Sequence, residues 1–410
     1  MTDMKQGATL SLPKGWEIKK LGEVAEYFNG LTYSPKDVSD KGTIVLRSSN
    51  VQNDELDFSD IVRVSVNIKE KLFVKEGDIL MCSRNGSQRL VGKTAPILNL
   101  KERMTFGTFM MIIRSEFSPY LLWFFKTDEF KKQISGGENT MINQVTRYML
   151  DDIEISLPPL PEQQRIVSIL DETFAVIAKA KANAEQNLKN AKELFESYLE
   201  TLFSEIFSSN ETKIISELAK VIGGYSFKSE DFNKEGKYQV IRMGNVRPGV
   251  IRENESPVFI DSMDEKALSK ALLLPNDVII TQTGTKKKRD YGYTVIIEKT
   301  NYLLNQRIAA IRFSKQYLPE FFLYFSWTNI FKDQYFANET GTVGQGNVGI
   351  GAITDAKVPF LTVKEQQTIV ARLDALSAET KRLEAIYQKK IVDLEELKKS
   401  VLQKAFNGEL

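Results

Sequence analysis

Two stretches of the chain carry a helical hydrophobic repeat longer than anything else in it. In the second, Leu373, Leu376, Thr380, Leu383, Tyr387, Leu394, Leu397 and Val401 alternate spacings of three and four residues, with one gap at Lys390. That is the a/d seam of a coiled coil, sustained over several heptads. In the first, the equivalent positions are Leu170, Thr173, Ile177, Ala180, Ala184, Ala191, Leu194 and Tyr198. No Gly or Pro interrupts either run, the second ending at Gly408. At 1.5 Å per residue, roughly 45 helical residues span about 65–70 Å. A lone helix of that length would leave its apolar stripe in water. The pattern therefore predicts that the two pack together antiparallel, a small Ala-rich seam against a larger Leu/Tyr seam. Leu157-Pro158-Pro159-Leu160-Pro161 precedes the first helix and Val358-Pro359-Phe360-Leu361-Thr362 the second. Each sets an extended approach, and Glu162 or Glu365 then suits the positive end of the helix dipole.

Between these helices the pattern is short and mixed. Residues 44–46, 78–81, 110–113, 278–281, 293–297 and 309–313 are apolar, partly β-branched runs that read as strands. Residues 119–133 and 319–334 open on Pro and carry aromatics at helical spacing. Residues 135–139 and 341–351 are rich in Gly and polar residues and read as loops.

The elements come twice. Glu162-Gln163-Gln164-Arg165-Ile166-Val167 returns as Glu365-Gln366-Gln367-Thr368-Ile369-Val370. Leu194, Ser197, Leu199 and Phe203 match Leu397, Ser400, Leu402 and Phe406 at the same offset of 203 residues. Upstream, Leu46-Arg47-Ser48-Ser49-Asn50-Val51 resembles Ile241-Arg242-Met243-Gly244-Asn245-Val246, with a smaller offset that drifts. The chain is thus two copies of one unit, a variable globular part followed by a helix of fixed length. The fold class expected is α+β: two mixed α/β domains in tandem repeat, separated by a long antiparallel two-helix coiled coil. The boundaries expected are 1–157 and 210–360 for the globular domains, with 158–209 and 361–410 for the helices.

Composition narrows the chemistry. Of 410 residues none is His and one is Cys, which excludes Ser-His-Asp and Cys-His catalysis, Cys/His zinc sites and an intramolecular disulfide. The formal net charge is +1. It is distributed unevenly: the first long segment is slightly negative, the second nearly neutral, and a mild positive excess lies on the globular parts. The N-terminus has no apolar signal-peptide core, and the most apolar stretch is far short of the roughly 20 residues a membrane span needs. The expected location is the cytoplasm, with no membrane partner.

Two glycine motifs invite a nucleotide reading and fail it. Gly86 and Gly92-Lys93-Thr94 enclose five residues, where a phosphate-binding P-loop has four. Gly344-Gln345-Gly346-Asn347-Val348-Gly349 fits the dinucleotide fingerprint in letters only, with no strand expected before it and no helix after it. No catalytic residue and no metal ligand set is expected.

The candidate chemistry is recognition. Two polar, basic loops leave matching strands at repeat-equivalent places. The first offers Ser83, Arg84, Asn85, Ser87, Gln88, Arg89 and Lys93; the second offers Gln282, Thr283, Thr285, Lys286, Lys287, Lys288 and Arg289. Arg, Asn and Gln carry forked donors and acceptors that match guanine and adenine edges, while Lys, Ser and Thr suit phosphates. Arg47, Arg242 and Arg247 form a second recurring set, and Asn143, Gln144, Gln345 and Asn347 are loop amides within reach of bases. Asn50 and Asn245 recur as well and read better as turn-holding residues.

Taken with the ending Leu402-Gln403-Lys404-Ala405-Phe406-Asn407-Gly408-Glu409-Leu410 and the openings Leu12-Pro13-Lys14-Gly15-Trp16 and Leu21-Gly22-Glu23-Val24, the chain resembles the specificity subunit of type I restriction–modification enzymes. The resemblance covers essentially its whole length. It implies two target-recognition domains, each reading one half of a bipartite, asymmetric site in double-stranded DNA. It implies a helix pair that sets the spacer and docks two methyltransferase subunits, with restriction and motor subunits in the full complex. S-adenosylmethionine, ATP and Mg²⁺ would be bound by those partners, leaving this chain without a cofactor or catalysis of its own. The alternative is an adaptor of another class, a coiled coil whose globular ends bind protein or glycan.

Overall fold

The computed structural model describes residues 12–135, 144–342 and 344–410. It divides the chain into two compact units, one formed by Met1–Ala184 with Lys389–Leu410 and the other by Glu185–Gln388.

In the first unit an antiparallel four-stranded sheet has the order Glu26–Asn29, Met110–Arg114, Ile79–Cys82, Thr94–Pro96. A three-stranded sheet orders Val62–Val64, Val38–Leu46 and Met104–Phe106, the last two parallel. Glu17–Lys20 pairs with Glu154–Leu157. The continuous apolar run of the central strand is explained by its burial on both faces. Ile79 and Met81 join one hydrophobic core with Met111 and Ile113. Leu80 and Cys82 join another with Met110, Ile112 and Ala95.

The second unit repeats this plan strand for strand. Its four-stranded sheet runs Ala219–Gly223, Ile308–Phe313, Val278–Thr281, Thr294–Ile296. Its three-stranded sheet runs Phe259–Ile260, Tyr238–Ile241, Tyr302–Leu304, again with the last two parallel. Thr212–Ile214 pairs with Lys357–Pro359. Here too alternate residues part between cores, Val278 and Ile280 to one and Ile279 to the other.

Polar residues hold the same joints in both copies. Asp78, buried, takes two hydrogen bonds from Arg114 at 2.6 Å, and Asp277 takes two from Arg312 at 2.7 Å. Asn50 accepts from Arg47 N–H and donates to the carbonyls of Asp57 and Asp60. Asn245 does the same with Arg242, Arg252 and Glu255. Both asparagines are buried, so the turn-holding reading stands.

The aromatic helices expected over 119–133 and 319–334 are each two helices, Ser118–Phe124 with Asp128–Ser135 and Pro319–Ser326 with Asn329–Phe336. The break comes where Thr127 and Thr328 turn their hydroxyls onto the N–H of Phe130 and Phe331, which caps the second helix of each pair.

The long helices are Leu160–Ser209, of 50 residues, and Val363–Asn407, of 45. The Glu-Gln-Gln motif that opens them has a structural cause. Gln163, buried, donates to Pro158 O at 2.7 Å. Gln366, also buried, donates to Leu361 O and Gln316 O and accepts from Leu318 N–H. Each glutamine ties its helix to the chain that leads into it. Within the first unit the two helical segments run in opposite directions: Arg165 donates to Leu410 O at 2.8 Å, and Lys181 pairs with Glu395 at 2.6 Å.

Of the expected seam, Leu170, Ile177, Ala184, Ala191 and Leu373 are buried. Tyr198, Leu376, Leu383, Tyr387, Leu394 and Val401 are half-buried. Leu397 and Leu194 do not belong to it: they are 46% and 52% exposed. A helix of 3.6 residues per turn drifts from a strict heptad, so the inward positions move on by one, to Phe195 in the first helix and Lys398 in the second.

The helix ends are parts of the domain cores. Ile166 and Leu170 lie in the first unit's core together with Leu402, Ala405 and Phe406 from the far end of the chain. Phe406 meets Tyr120 and Phe124 with ring centroids 4.9 and 5.7 Å apart. In the second unit Phe203 meets Phe321 and Phe325 at 5.3 and 5.5 Å, in a core shared with Leu373. Each core is thus completed by the start of the helix that follows its globular part and the end of the other.

Candidate nucleic-acid interface

The polar loops begin where the buried central strands of the four-stranded sheets end. In the first unit Ser83 N–H donates to Phe109 O at 2.9 Å and Ser83 O accepts from Val145 N–H at 2.8 Å. In the second, Gln282 N–H donates to Arg307 O at 2.8 Å and Gln282 O accepts from Val348 N–H at 2.9 Å. Three chain segments therefore converge in each unit: the loop after the central strand, the turn before its neighbour, and a late segment near Gln144 or Asn347.

In the first unit Arg84 forms a bridge with Gln144, and both side chains are exposed. The Arg84 guanidinium sits 5.8 Å from the Phe109 ring centroid. Arg89 and Ser87 are exposed and Lys93 half-buried. Among the described residues none of Arg84, Arg89 and Lys93 has an ion-pair partner. Ser83 and Asn85 are committed inward, Ser83 to Phe109 O and Asn85 to Ser48 Oγ, both at 3.0 Å. Asn143 lies outside the described residues, as does the side chain of Gln88.

In the second unit Gln282 and Thr283 are buried and bonded to Val348 O and Asn347 Oδ1 at 3.0 Å. They shape the loop rather than face solvent. Asp290 accepts from Thr285 N–H at 2.6 Å and from its hydroxyl at 3.2 Å. This closes a turn at whose tip Lys287, Lys288 and Arg289 are exposed, with Lys286 half-buried. Arg289 adopts φ 47° and lies 4.8 Å from the Phe336 ring centroid. The glycine stretch expected to be a loop contains a strand: Gln345–Asn347 pairs with both Thr283–Gly284 and Thr340–Thr342. A Cβ on Gly346 would lie 2.2 Å from the Tyr291 hydroxyl and 2.5 Å from the Glu339 carboxylate, so the strand carries glycine there. Thr340–Thr342 is its neighbour in sequence, but Thr283–Gly284 is distant, and periodicity cannot register a strand against a distant partner.

These segments enclose an open cleft of ≈ 460 Å³ lined by Arg247, Thr283, Thr285, Tyr293, Arg307 and Gln345, among others. Four of the six came from sequence reasoning; Arg307 and Tyr293 did not. The cleft holds two guanidinium groups and one carboxylate: Asp290 accepts from Thr285, Arg247 lies 3.7 Å from Glu255, and Arg307 has no ion-pair partner among the described residues. Arg247 also donates to Gly244 O and Val246 O.

Arg47 and Arg242 stand apart from this set. Arg47 pairs with Asp60 at 2.6 Å, and Arg242 donates to the carbonyl of Ser256. Their heads are held by their own unit. Missed altogether were Phe109 and Arg307, which no basic or glycine-rich cluster marks. Only alignment of the two copies through Met110 and Ile308 would have found them.

Comparison with known proteins agrees with the repeat. The family model of the type I restriction modification DNA specificity domain matches residues 13–190 and 208–392. The type I restriction enzyme EcoKI specificity subunit of Escherichia coli (strain K12) is 27% identical over 97% of this chain and 90% of its own length. The StySPI specificity subunit of Salmonella potsdam is 26% identical over the same shares. The fold is that of the HsdS subunit from Thermoanaerobacter tengcongensis, with a TM-score of 0.63 at 18% identity over 98% of this chain and 99% of that one. A chain from a structure of the assembly and conformational transition of a type I R-M system gives 0.75 at 17% identity, over 98% and 100%. Because the family match takes in both globular units and most of both long helices, the chain belongs to the type I restriction–modification DNA specificity family.

Proposed function

We propose that each unit of this DNA specificity subunit presents its converging loops to one half of a bipartite, asymmetric double-stranded target. The observation that carries the reading is the contrast between frame and surface. The buried Asp–Arg pairs, the turn-holding asparagines and the strand orders are the same in both units. The exposed loops are not: Arg84, Arg89 and Gln144 in one, Lys287, Lys288, Arg289, Arg307 and Gln345 in the other. Equal frames with different polar tips suit two related but unequal half-sites. Cations without carboxylate partners suit a polyanion, since binding phosphate releases condensed counterions without breaking an existing pair.

In this reading the two long helices form the antiparallel coiled coil that sets the spacer between half-sites and docks two N6-adenine methyltransferase subunits. Those partners bind S-adenosylmethionine and transfer the methyl group, and restriction or motor subunits supply ATP- and Mg²⁺-dependent cleavage. The chain contributes recognition and no catalysis. As a DNA-reading subunit the chain would work in the cytoplasm; among the described residues no helix is long and apolar enough to cross a membrane. Insertion of seven residues, two helical turns, at residue 187 tests the ruler in the assembled methyltransferase complex. The methylated motif is expected to keep both half-sites and gain spacer length. A changed half-site at constant spacing would overturn the assignment of roles.

A further inference from the structure

The turn before the second strand of each four-stranded sheet is built alike in both units, and it ends on an exposed residue of different chemistry. In the first unit Gly107 N–H donates to Leu46 O and Leu31 N–H to Phe106 O. In the second Asn305 N–H donates to Ile241 O and Tyr225 N–H to Leu304 O. A glycine permits this approach each time. A Cβ on Gly30 would lie 2.0 Å from Gly107 O, and one on Gly224 1.9 Å from Asn305 O. The turn is therefore clamped by backbone on both sides, and its last residue is fixed by the carbonyl bond from Ser83 or Gln282.

That last residue is Phe109 in one unit and Arg307 in the other. Phe109 is 54% exposed, and the Arg84 guanidinium lies 5.8 Å from its ring centroid. Arg307 is exposed, its side chain makes no hydrogen bond or ion pair with a described residue, and it holds φ 73°. A bulky residue seldom adopts that left-handed conformation, and strained positions concentrate at functional sites. It lines the cleft beside Arg247, Thr285 and Gln345.

We propose that this turn residue is a position at which the two units read different bases: Arg307 pairs with the N7 and O6 edge of a guanine, and Phe109 packs on the 5-methyl group of a thymine. The inference rests on the reading of the units as DNA-recognition domains and adds which residue distinguishes them. Arg presents the fork that matches a guanine edge, and an apolar side chain in the major groove discriminates by the thymine methyl. A pair of framework-equivalent positions with unlike side chains separates specificity from stability, because neither side chain packs into a core.

The test uses the full chain assembled with its methyltransferase subunits. Methylated motifs are compared for wild type, Arg307→Ala and Phe109→Ala. Arg307→Ala is expected to make one guanine position degenerate in one half-site and leave the other half-site intact. Phe109→Ala is expected to relax one thymine position in the opposite half-site. A motif unchanged in every letter, or letters relaxed in both halves by one substitution, would overturn the proposal. A wild-type complex with no bipartite motif would instead sink the underlying DNA reading. Should Arg307→Ala methylate too weakly to map, affinity for duplexes with 7-deazaguanine at each guanine decides. One such duplex should bind wild type roughly 5- to 150-fold more weakly and bind Arg307→Ala no worse than the natural site. An equal loss for both proteins at every guanine would overturn the assignment.

Discussion

Phe406 lies more than two hundred residues from the globular domain of the first unit, yet it belongs to that unit's core. Its ring is 5% exposed and packs against Tyr120 and Phe124. Truncation to Ala removes a ring from a close-packed site, a change that typically costs about 3–5 kcal/mol. We take the low end of that range, about 3 kcal/mol, for the local opening of this site. About 3 kcal/mol is roughly a hundredfold in a local opening equilibrium. Hydrogen exchange on the full chain reads this directly. Amides of Ser118–Phe124 should exchange about a hundredfold faster in Phe406→Ala, while those of Pro319–Ser326 keep their protection. Phe203→Ala should give the mirror result, since Phe203 packs on Phe321 and Phe325. Unchanged protection in Ser118–Phe124, or an equal loss in both units, would refute the argument that each core is closed by the end of the other copy's helix.

Further outcomes separate frame from recognition. Asn245→Ala removes one acceptor and two donor bonds from a buried site and should cost about 2–3 kcal/mol of stability, read as a lower urea midpoint; a loss of DNA affinity at full stability would show that Asn245 reads bases instead. Replacing Lys286, Lys287 and Lys288 together by Gln should weaken DNA binding uniformly across sequences. The slope of log K against log salt should fall by up to about 2.7, at roughly 0.9 per phosphate contact, and an unchanged slope would remove these lysines from the interface.

The long helices and the repeat were legible because their signals are local or periodic. Heptad spacing survives without knowledge of the partner, and a fixed offset aligns the two copies without a fold. Central strands such as Ile79–Cys82 were legible for a related reason: burial on both faces leaves a continuous apolar run. The register of the seam beyond Ala191 was not, because it depends on the accumulated drift of a real helix. Leu397 satisfies the heptad on paper and stands in solvent. The strand Gln345–Asn347 was hidden because it is three residues long and one of its two partners, Thr283–Gly284, is distant in sequence.

The candidate interface was legible in outline through composition: basic, amide-rich loops at equivalent places. Which of those side chains face outward was not. Gln282, Thr283 and Ser83 look like recognition residues in sequence, and each spends its hydrogen bonds on the unit's own backbone or on Asn347. Arg47 and Arg242 likewise turn to local oxygens. Conversely, Phe109 and Arg307 sit in ordinary-looking sequence and acquire meaning only from the turn that presents them.

The central claim is that this chain chooses the DNA sequence its partners act upon. The most direct measurement is a genome-wide map of N6-methyladenine in a host that carries this gene with its methyltransferase, set against the same host lacking only this gene. The account predicts that one bipartite methylated motif disappears, and that its two halves and spacer define the target. Identical maps, with the chain and its methyltransferase both shown to be expressed and assembled, would contradict it.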